Sequence, residues 1–281
     1  MKYLVTGATG GFGHYALNYL QEEVPVSDIF ALVRSEEKGA VLKEAGVNIR
    51  IGDYADKASM KKALEGIDRM LFVSGAPGNR QEEHANVVEA AEEAGVSYIA
   101  YTSFAGADKA TSPLAADHIF TEGLIEKTGI PHTFLRNNWY LENEMPIVDA
   151  ALKGGKFVYA AGDGKTGWAM KREYAEVAAK ALVGTDYPAI LELSGKPISY
   201  AALADSLKKA TEKDFEVIGS DDQGFIENLV ANGMPQSVAE IFLSFQYDIK
   251  NNQLDVASDD FEKALGRPLI RLEAGFKELL D

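Results

Sequence analysis

The chain has 281 residues, of which 46% are hydrophobic and 25% charged, the composition of an ordinary globular protein with room for a substantial core. Its net charge of −15 disfavours binding to nucleic acid or anionic lipid. The absence of cysteine excludes thiolate catalysis, disulfides and cysteine-ligated metals. The four histidines form no ligand pattern, so we expect no metal site.

The N-terminal residues and the lack of long apolar stretches bear on the cellular location of the protein. Met1 and Lys2 lead directly into an apolar run at residues 3–6, so we expect no signal peptide. No stretch approaches the roughly 18 apolar residues of a membrane span. We therefore expect a cytoplasmic protein with no membrane partner; its oligomeric state stays open, with a homodimer among the arrangements considered.

The first half of the chain alternates short, β-rich apolar runs with amphipathic stretches. Strands are predicted at residues 3–6, 29–33, 48–51, 69–73, 98–102 and 132–135. Helices are predicted at residues 13–22, 36–45, 59–64, 79–94 and 114–127. This alternation predicts a Rossmann-type α/β fold, a doubly wound parallel sheet with helices on both faces.

Beyond Arg136 the alternation becomes less regular. Helices are predicted at residues 142–153, 171–182, 199–209 and much of 221–247, with short strands near 157, 191 and 217 and a glycine-rich loop at 162–167. We therefore predict a cofactor-binding Rossmann domain over residues 1–153. A smaller α+β lobe on the substrate side follows over residues 154–281, with some elements shared between the two.

Three glycines separate the first predicted strand from the first helix, with the spacing GxxGxxG. Such glycines allow a tight turn, close approach to a pyrophosphate, and packing of the helix on the strand. A purely structural turn is the alternative. The strand–turn–helix context favours a dinucleotide site, contributed by Gly7, Ala8, Thr9, Gly10, Gly11, Phe12 and Gly13.

Further cofactor contacts are predicted at the ends of the next strands. Arg34 follows the second strand, where an acidic residue would select NAD; its planar guanidinium suits a 2′-phosphate, which predicts NADP(H). An ordinary surface arginine is the alternative. Asp53 follows the third strand and could lie near the adenine, while Ser74 and Gly75 follow the fourth strand and could lie beside a ribose.

Several segments together resemble the NmrA-like, atypical short-chain dehydrogenase/reductases, and within them the bacterial type 2 NAD(P)H:quinone oxidoreductases. The likeness is strongest over residues 1–183. It is carried by VTGATG at 5–10, GHY at 13–15, LVR at 32–34, IAYTS at 99–103, TSPL at 111–114, LRNNWYLEN at 135–143 and AAGDGK at 160–165. Triphenylmethane dye reductases are the next most similar group.

The resemblance also implies roles for individual residues. Ser103 falls at the family's serine position after the fifth predicted strand. Asn137 and its neighbours Asn138, Trp139 and Tyr140 would line the nicotinamide, with Asn138 and Tyr140 facing the acceptor as candidate catalytic residues. Alternatively, Trp139 and Tyr140 are core aromatics.

The familiar catalytic pair of short-chain dehydrogenases, Tyr-x-x-x-Lys, is missing, because none of the 12 tyrosines has a lysine four residues later. His118 and Glu122 fall close to its place; they could form a proton relay or touch substrate, and an exposed i, i+4 contact is the alternative. Hydride addition to a quinone gives a phenolate-like anion, whereas addition to a ketone gives a much more basic alkoxide. The stabilisation that an acid must provide by protonation is therefore about 7 kcal/mol smaller for the quinone.

We therefore expect an NADPH-dependent oxidoreductase that transfers hydride to a quinone or similar flat, small-molecule acceptor without flavin or metal. One alternative is a non-catalytic, NADP(H)-binding redox sensor that acts through a protein partner. The other is a triphenylmethane-dye-type reductase.

Overall fold

The computed structural model of the protein describes residues 1–281. Its strands are β1 Tyr3–Val5, β2 Ile29–Val33, β3 Asn48–Ile51, β4 Arg69–Phe72, β5 Tyr98–Phe104, β6 His132–Asn137, β7 Lys156–Tyr159, β8 Lys165–Thr166, β9 Ile190–Leu193, β10 Ile198–Ser199 and β11 Glu216–Gly219. Its α-helices are α1 Gly11–Glu23, α2 Glu36–Glu44, α3 Lys57–Leu64, α4 Arg80–Ala94, α5 Pro113–Thr128, α6 Met145–Gly154, α7 Lys171–Val183, α8 Tyr200–Thr211, α9 Asp222–Ala231, α10 Gln236–Lys250, α11 Asp260–Leu265 and α12 Leu272–Leu280. None of the helices combines the length and apolar composition needed to cross a bilayer.

The chain forms two compact units, and the first comprises residues 1–137 and 172–192. It carries a seven-stranded sheet of order β3-β2-β1-β4-β5-β6-β9, in which β1 to β6 pair in parallel. The predicted Rossmann-type doubly wound sheet is thus confirmed. Leu4, Phe72, Tyr101 and Phe134 are among the buried side chains of its core. Because the strands are parallel, the turns after β1 to β6 all leave the same edge of the sheet, where such folds bind ligands.

The second unit comprises residues 138–171 and 193–281. It pairs β7 with β11 in parallel and β8 with β10 antiparallel, and most of its other elements are helices. The two units do not divide at the predicted residue 153. The chain leaves the first unit sixteen residues earlier and returns to it for α7 and most of β9, so the elements are shared more extensively than the predicted boundary implies.

Several predicted elements have different bounds in the structure. β5 and β6 are longer than predicted, so Ser103 and Asn137 belong to strands instead of following them. The helix predicted at residues 142–153 is divided into a 3-10 turn, Leu141–Glu144, and α6. Pro146 lies in the first turn of α6, the part of a helix where proline's missing N–H is tolerated. The predicted glycine-rich loop at 162–167 contains the short strand β8.

A buried carboxyl group lies in the second unit. Glu144 is 1% exposed, and its oxygens accept hydrogen bonds from the Trp168 indole N–H (2.9 Å) and the Tyr200 hydroxyl (3.0 Å). Gln246 donates to the same Tyr200 oxygen and accepts from the Ala160 N–H. Burial raises the pKa of Glu144 to about 7, although hydrogen bonds from Trp168 and Tyr200 oppose the shift.

This shift predicts how stability depends on pH. The folded protein binds the Glu144 proton more tightly than the unfolded chain, whose pKa is near 4.5. The resulting stabilisation is complete below pH 4.5 and is lost as pH rises through about 7, a change of about 3 kcal/mol. Urea unfolding of both proteins between pH 4.5 and about 7 measures this effect. As the pH rises, the free energy of unfolding of the wild type should fall by about 3 kcal/mol relative to that of Glu144→Gln. A constant difference between the two proteins would contradict the shift.

Candidate active site

The turn between β1 and α1 requires glycine at two positions for different reasons. Gly7 has a φ of +60°, in the left-handed region that side chains disfavour, and its carbonyl accepts from the Gly10 N–H at 2.9 Å. A Cβ on Gly13 would lie only 2.3 Å from the Gly7 carbonyl oxygen, closer than atoms can approach. The helix can therefore begin directly against the turn only because Gly13 has no side chain.

The start of α1 can hold an anion. Its N-cap, Gly10, provides no capping side chain, and no acidic residue lies in the first turn. Gly7, Thr9, Gly10 and Gly11 are exposed around this end, whereas Ala8 and Phe12 are buried. Backbone N–H groups and the positive end of the helix dipole thus fit a pyrophosphate.

Arg34 directly follows β2 and is exposed. Its side chain makes no hydrogen bond or ion pair within the protein. The next residue, Ser35, begins α2 by accepting from the Lys38 N–H with its hydroxyl (3.3 Å). The guanidinium is consequently unused at the carboxyl edge of the sheet, where a 2′-phosphate would be read.

Asp53 also lies near this edge, following β3, and it is exposed. Its carboxylate accepts from the Ala55 N–H (3.0 Å), and its own N–H donates to the Ser59 hydroxyl (3.0 Å). The adjacent Tyr54 hydroxyl is hydrogen-bonded to the Thr6 hydroxyl. These contacts fix the turn and leave the second carboxylate oxygen of Asp53 for a ligand.

Ser74 and Gly75 follow the end of β4, and their backbone is held by side chains of neighbouring elements. The Ser74 N–H donates to the Thr102 hydroxyl at 2.8 Å. The Gly75 N–H donates to His84 Nε2 at 3.0 Å, and the Gly75 carbonyl accepts from Arg80 Nε and Nη2 at 3.0 and 2.7 Å.

Arg80 and His84 were not predicted from the sequence as residues of the site. Both are buried on α4, together with the apolar Val87, Val88 and Ala91. Polar side chains that share the helical spacing of an apolar face are the signal that could have identified them.

Ser103 lies on β5 and is buried against charged groups. Its hydroxyl donates to Glu122 Oε1 at 2.5 Å, and the same carboxylate accepts from Arg136 Nε and Nη2 at 3.0 and 2.9 Å. Arg136 also donates to Glu192 and to Asp108. Although burial opposes its charge, the hydrogen bonds to Glu122 and Glu192 raise the pKa of Arg136. The Ser103 hydroxyl proton is therefore used in a hydrogen bond to the Glu122 carboxylate, which Arg136 binds through two further hydrogen bonds.

The exposed i, i+4 contact considered for His118 and Glu122 is wrong, because both side chains are 7% exposed and each has other partners. His118 Nδ1 is hydrogen-bonded to the Tyr101 hydroxyl (2.9 Å), and its Nε2 to Arg80 (3.2 Å). Burial, followed by the charge of Arg80, lowers the pKa of His118 to about 3. The ring is therefore neutral at physiological pH, and both of its nitrogens are hydrogen-bonded inside the first unit, so it is not placed to pass a proton to a substrate.

Asn137 is buried at the end of β6, and its backbone carbonyl accepts from the Ala105 N–H (3.1 Å). The next residue, Asn138, belongs to the second unit and is also buried. Its amide group donates to the Ser194 hydroxyl and the Leu254 carbonyl, both at 3.0 Å, and its oxygen accepts from the Trp139 N–H at 2.8 Å. The Asn138 side chain thus fixes the backbone around it.

Trp139 and Tyr140 are partly exposed, so neither is a fully buried core aromatic. The Trp139 ring packs edge-to-face on Phe245, with 5.1 Å between centroids. The Lys171 ammonium lies over the Tyr140 ring, 5.4 Å from its centroid. Each ring is thus packed against a neighbouring side chain, and both residues remain partly exposed.

Replacing Arg34 tests its predicted role in cofactor choice. Arg34→Ala should weaken NADPH binding by about ten- to hundredfold, because charge-assisted hydrogen bonds to the 2′-phosphate are lost, and change NADH binding little. The measurement is a fluorescence titration with each nucleotide. Lys43→Ala, which removes an exposed cation from α2, serves as the control and should affect neither. Equal losses for both nucleotides would mean that Arg34 does not read the phosphate.

Comparison with known proteins identifies the family of the chain. The family described as NAD(P)H-binding matches residues 7–183. Quinone oxidoreductase 2 from Escherichia coli is 35% identical over 280 residues, which cover 99% of this chain and 98% of that protein.

Several solved structures cover nearly the whole chain, among them two that contain the cofactor. The NADPH-dependent quinone oxidoreductase of Escherichia coli, solved with NADPH, has a TM-score of 0.92 at 35% identity and covers 99% of this chain and 100% of its own. The Citrobacter sp. triphenylmethane reductase, solved with NADP(H), has a TM-score of 0.94 at 34% identity, with 99% of each chain covered. The chain therefore belongs to the NAD(P)H-binding, NmrA-like family of oxidoreductases.

Proposed function

We propose that the protein is an NADPH-dependent oxidoreductase that transfers hydride to a quinone or a similarly flat acceptor without flavin or metal. The proposal rests on one observation: the Ser103 hydroxyl donates its proton to Glu122, whose carboxylate is paired with Arg136. No acid stands where the Tyr-x-x-x-Lys pair would supply one. The similarity to quinone oxidoreductase 2 of Escherichia coli supports the same activity.

The first unit has the groups that would hold NADPH. The N–H groups of the turn from Gly7 to Gly13 would bind the pyrophosphate, and the Arg34 guanidinium the 2′-phosphate. Asp53 would lie near the adenosine, and Gly75 beside a ribose. When bound, NADPH supplies the hydride.

The remaining groups of the first unit orient the nicotinamide without acting as acids. Because Ser103 donates its proton to Glu122, its oxygen is available to accept a hydrogen bond from the nicotinamide end of the cofactor. Asn137, at the end of the neighbouring strand β6, would contact the same end.

An acceptor that needs little protonation fits this arrangement. Reduction of a ketone generates an alkoxide about as basic as hydroxide, whereas reduction of a quinone generates an anion with a pKa near 10. The difference lowers the demand for an acid by about 7 kcal/mol, so water can supply the proton. The protein then acts chiefly by holding the acceptor in position.

We assign the acceptor-facing role to the segment that continues from Asn137. Trp139 and Tyr140 are partly exposed aromatic residues, and aromatic rings suit contact with a flat acceptor. Asn138, whose amide is fully used in hydrogen bonds to its own unit, acts as a positioning residue for them. Tyr140 is the remaining candidate for direct contact with the acceptor.

The proposal extends to the setting in which the protein works. The net charge of −15 supports a protein that does not bind nucleic acid. A cytoplasmic location and a homodimer are part of the same proposal.

A second candidate function follows from the similarity to the triphenylmethane reductase of Citrobacter sp., which is as close in fold as the quinone oxidoreductase. A triphenylmethane dye is a delocalised cation that accepts hydride at its central carbon, and its reduction needs no acid either. The two functions differ only in the acceptor.

The test follows NADPH absorbance after addition of a simple benzoquinone, a triphenylmethane dye or an aliphatic ketone. We expect turnover of the quinone and none of the ketone. Ser103→Ala removes one proposed hydrogen bond to the nicotinamide end and should lower quinone turnover by no more than about tenfold, whereas loss of a true catalytic acid costs about a hundredfold or more.

The other outcomes separate the alternatives. Turnover of the dye alone would favour the second candidate. NADPH binding without turnover of any acceptor would contradict both enzymes and favour a redox sensor.

A further inference from the structure

Gly75 is the only residue of the candidate site whose backbone N–H and carbonyl are both held by buried ionisable side chains. The His84 ring that accepts from its N–H is completely buried and packs against Phe72 (4.8 Å between centroids) and Tyr101 (5.9 Å). The Arg80 guanidinium that donates to its carbonyl is 5% exposed. Both side chains come from α4, so one helix determines the conformation of the turn after β4.

The hydrogen bonds of His84 define its tautomer. The Thr121 hydroxyl donates to the Asp117 carbonyl at 2.8 Å, so its oxygen accepts from His84 Nδ1–H, also at 2.8 Å. Nε2 therefore carries no proton and can accept from the Gly75 N–H. Burial and then the charge of Arg80 lower the pKa of His84 to about 3, so the ring stays neutral at any working pH.

The contacts of Arg80 compensate its buried positive charge only weakly, which is unfavourable for a purely structural residue. Arg80 donates to the Gly75 carbonyl and to His118 Nε2, which are neutral acceptors, and its ion pair with Asp117 is long at 3.9 Å. A buried cation that is weakly compensated costs stability. That cost would be reduced by an anionic ligand bound nearby, and the proposed cofactor is one.

We propose that His84 and Arg80 are positioning residues for the cofactor. They fix the backbone N–H and the backbone carbonyl of Gly75, so that the turn after β4 is already ordered before NADPH binds. Glycine loses more conformational freedom on ordering than any other residue, and ordering it during folding removes that cost from cofactor binding. The inference rests on the proposed function only in assigning Gly75 to the cofactor site.

The test compares NADPH dissociation constants, measured by fluorescence titration, with melting temperatures. His84→Met removes the acceptor and should weaken binding about tenfold, because the partly buried Gly75 N–H loses its partner. In His84→Gln the amide oxygen replaces Nε2, so binding should stay within about threefold of the wild type. Val88→Ala truncates a buried side chain on the same helix and should lower the melting temperature without changing the dissociation constant.

Two further variants keep the proposal testable if His84→Met does not fold. Thr121→Val preserves shape but leaves His84 Nδ1–H without an acceptor, so the ring is no longer held in place against Gly75 and NADPH binding should again weaken several-fold. Arg80→Met should weaken binding more than Arg80→Lys, which keeps the charge and one donor.

The results separate positioning from packing. Wild-type affinity in Thr121→Val and in any folded His84→Met variant would overturn the proposal, as would equal losses in His84→Met and His84→Gln. Because only nucleotide binding is measured, a failure to reduce quinones would contradict the proposed function and leave this inference standing.

Discussion

The contact between Gly13 and the carbonyl of Gly7 is the constraint on which the rest of the site depends. With no Cβ at Gly13, α1 can begin against the turn, and its first N–H groups reach the carboxyl edge of the sheet. The parallel order of β1 to β6 brings the ends of the neighbouring strands to that same edge. Arg34, Asp53, Gly75 and Ser103 are therefore placed by one sheet around one turn.

Buried charge determines what chemistry this edge can perform. The positions near which a tyrosine and a lysine would be expected carry His118 and Glu122, and each is satisfied by partners inside the first unit. Glu122 accepts from both Ser103 and Arg136, so it orients the serine and holds its proton. We therefore propose that the site holds reactants without protonating them, which favours an acceptor whose reduced form is a weak base.

The parts of the site that could be predicted from the sequence are those formed by neighbouring residues. The glycine turn and Arg34 follow from a strand, a turn and a helix in direct succession, and this local pattern needs no tertiary information. The exposed contact expected for His118 and Glu122 was wrong because their partners, Tyr101 and Arg136, lie on strands that spacing along a helix does not reveal.

The ends of the strands were also predicted inaccurately from the sequence. The ends of β5 and β6 were predicted too early, because the polar residues Ser103 and Asn137 look like loop residues. Inside the fold they are buried, and the strand pairing extends through both positions. Likewise, the roles of Arg80 and His84 depend on packing of α4 against the end of β4, so the sequence could at most mark them as polar residues on a buried face.

Stereospecific hydride transfer tests the central claim most directly, namely that the protein holds NADPH in one orientation and passes its hydride straight to the acceptor. The measurement uses NADPH carrying deuterium in either of the two positions on the reactive nicotinamide carbon and follows deuterium in the oxidised cofactor after quinone reduction. We expect one labelled form to lose its deuterium completely and the other to retain it. Partial loss from both forms would contradict the account, because it would mean that the quinone is reduced by NADPH that the protein does not orient.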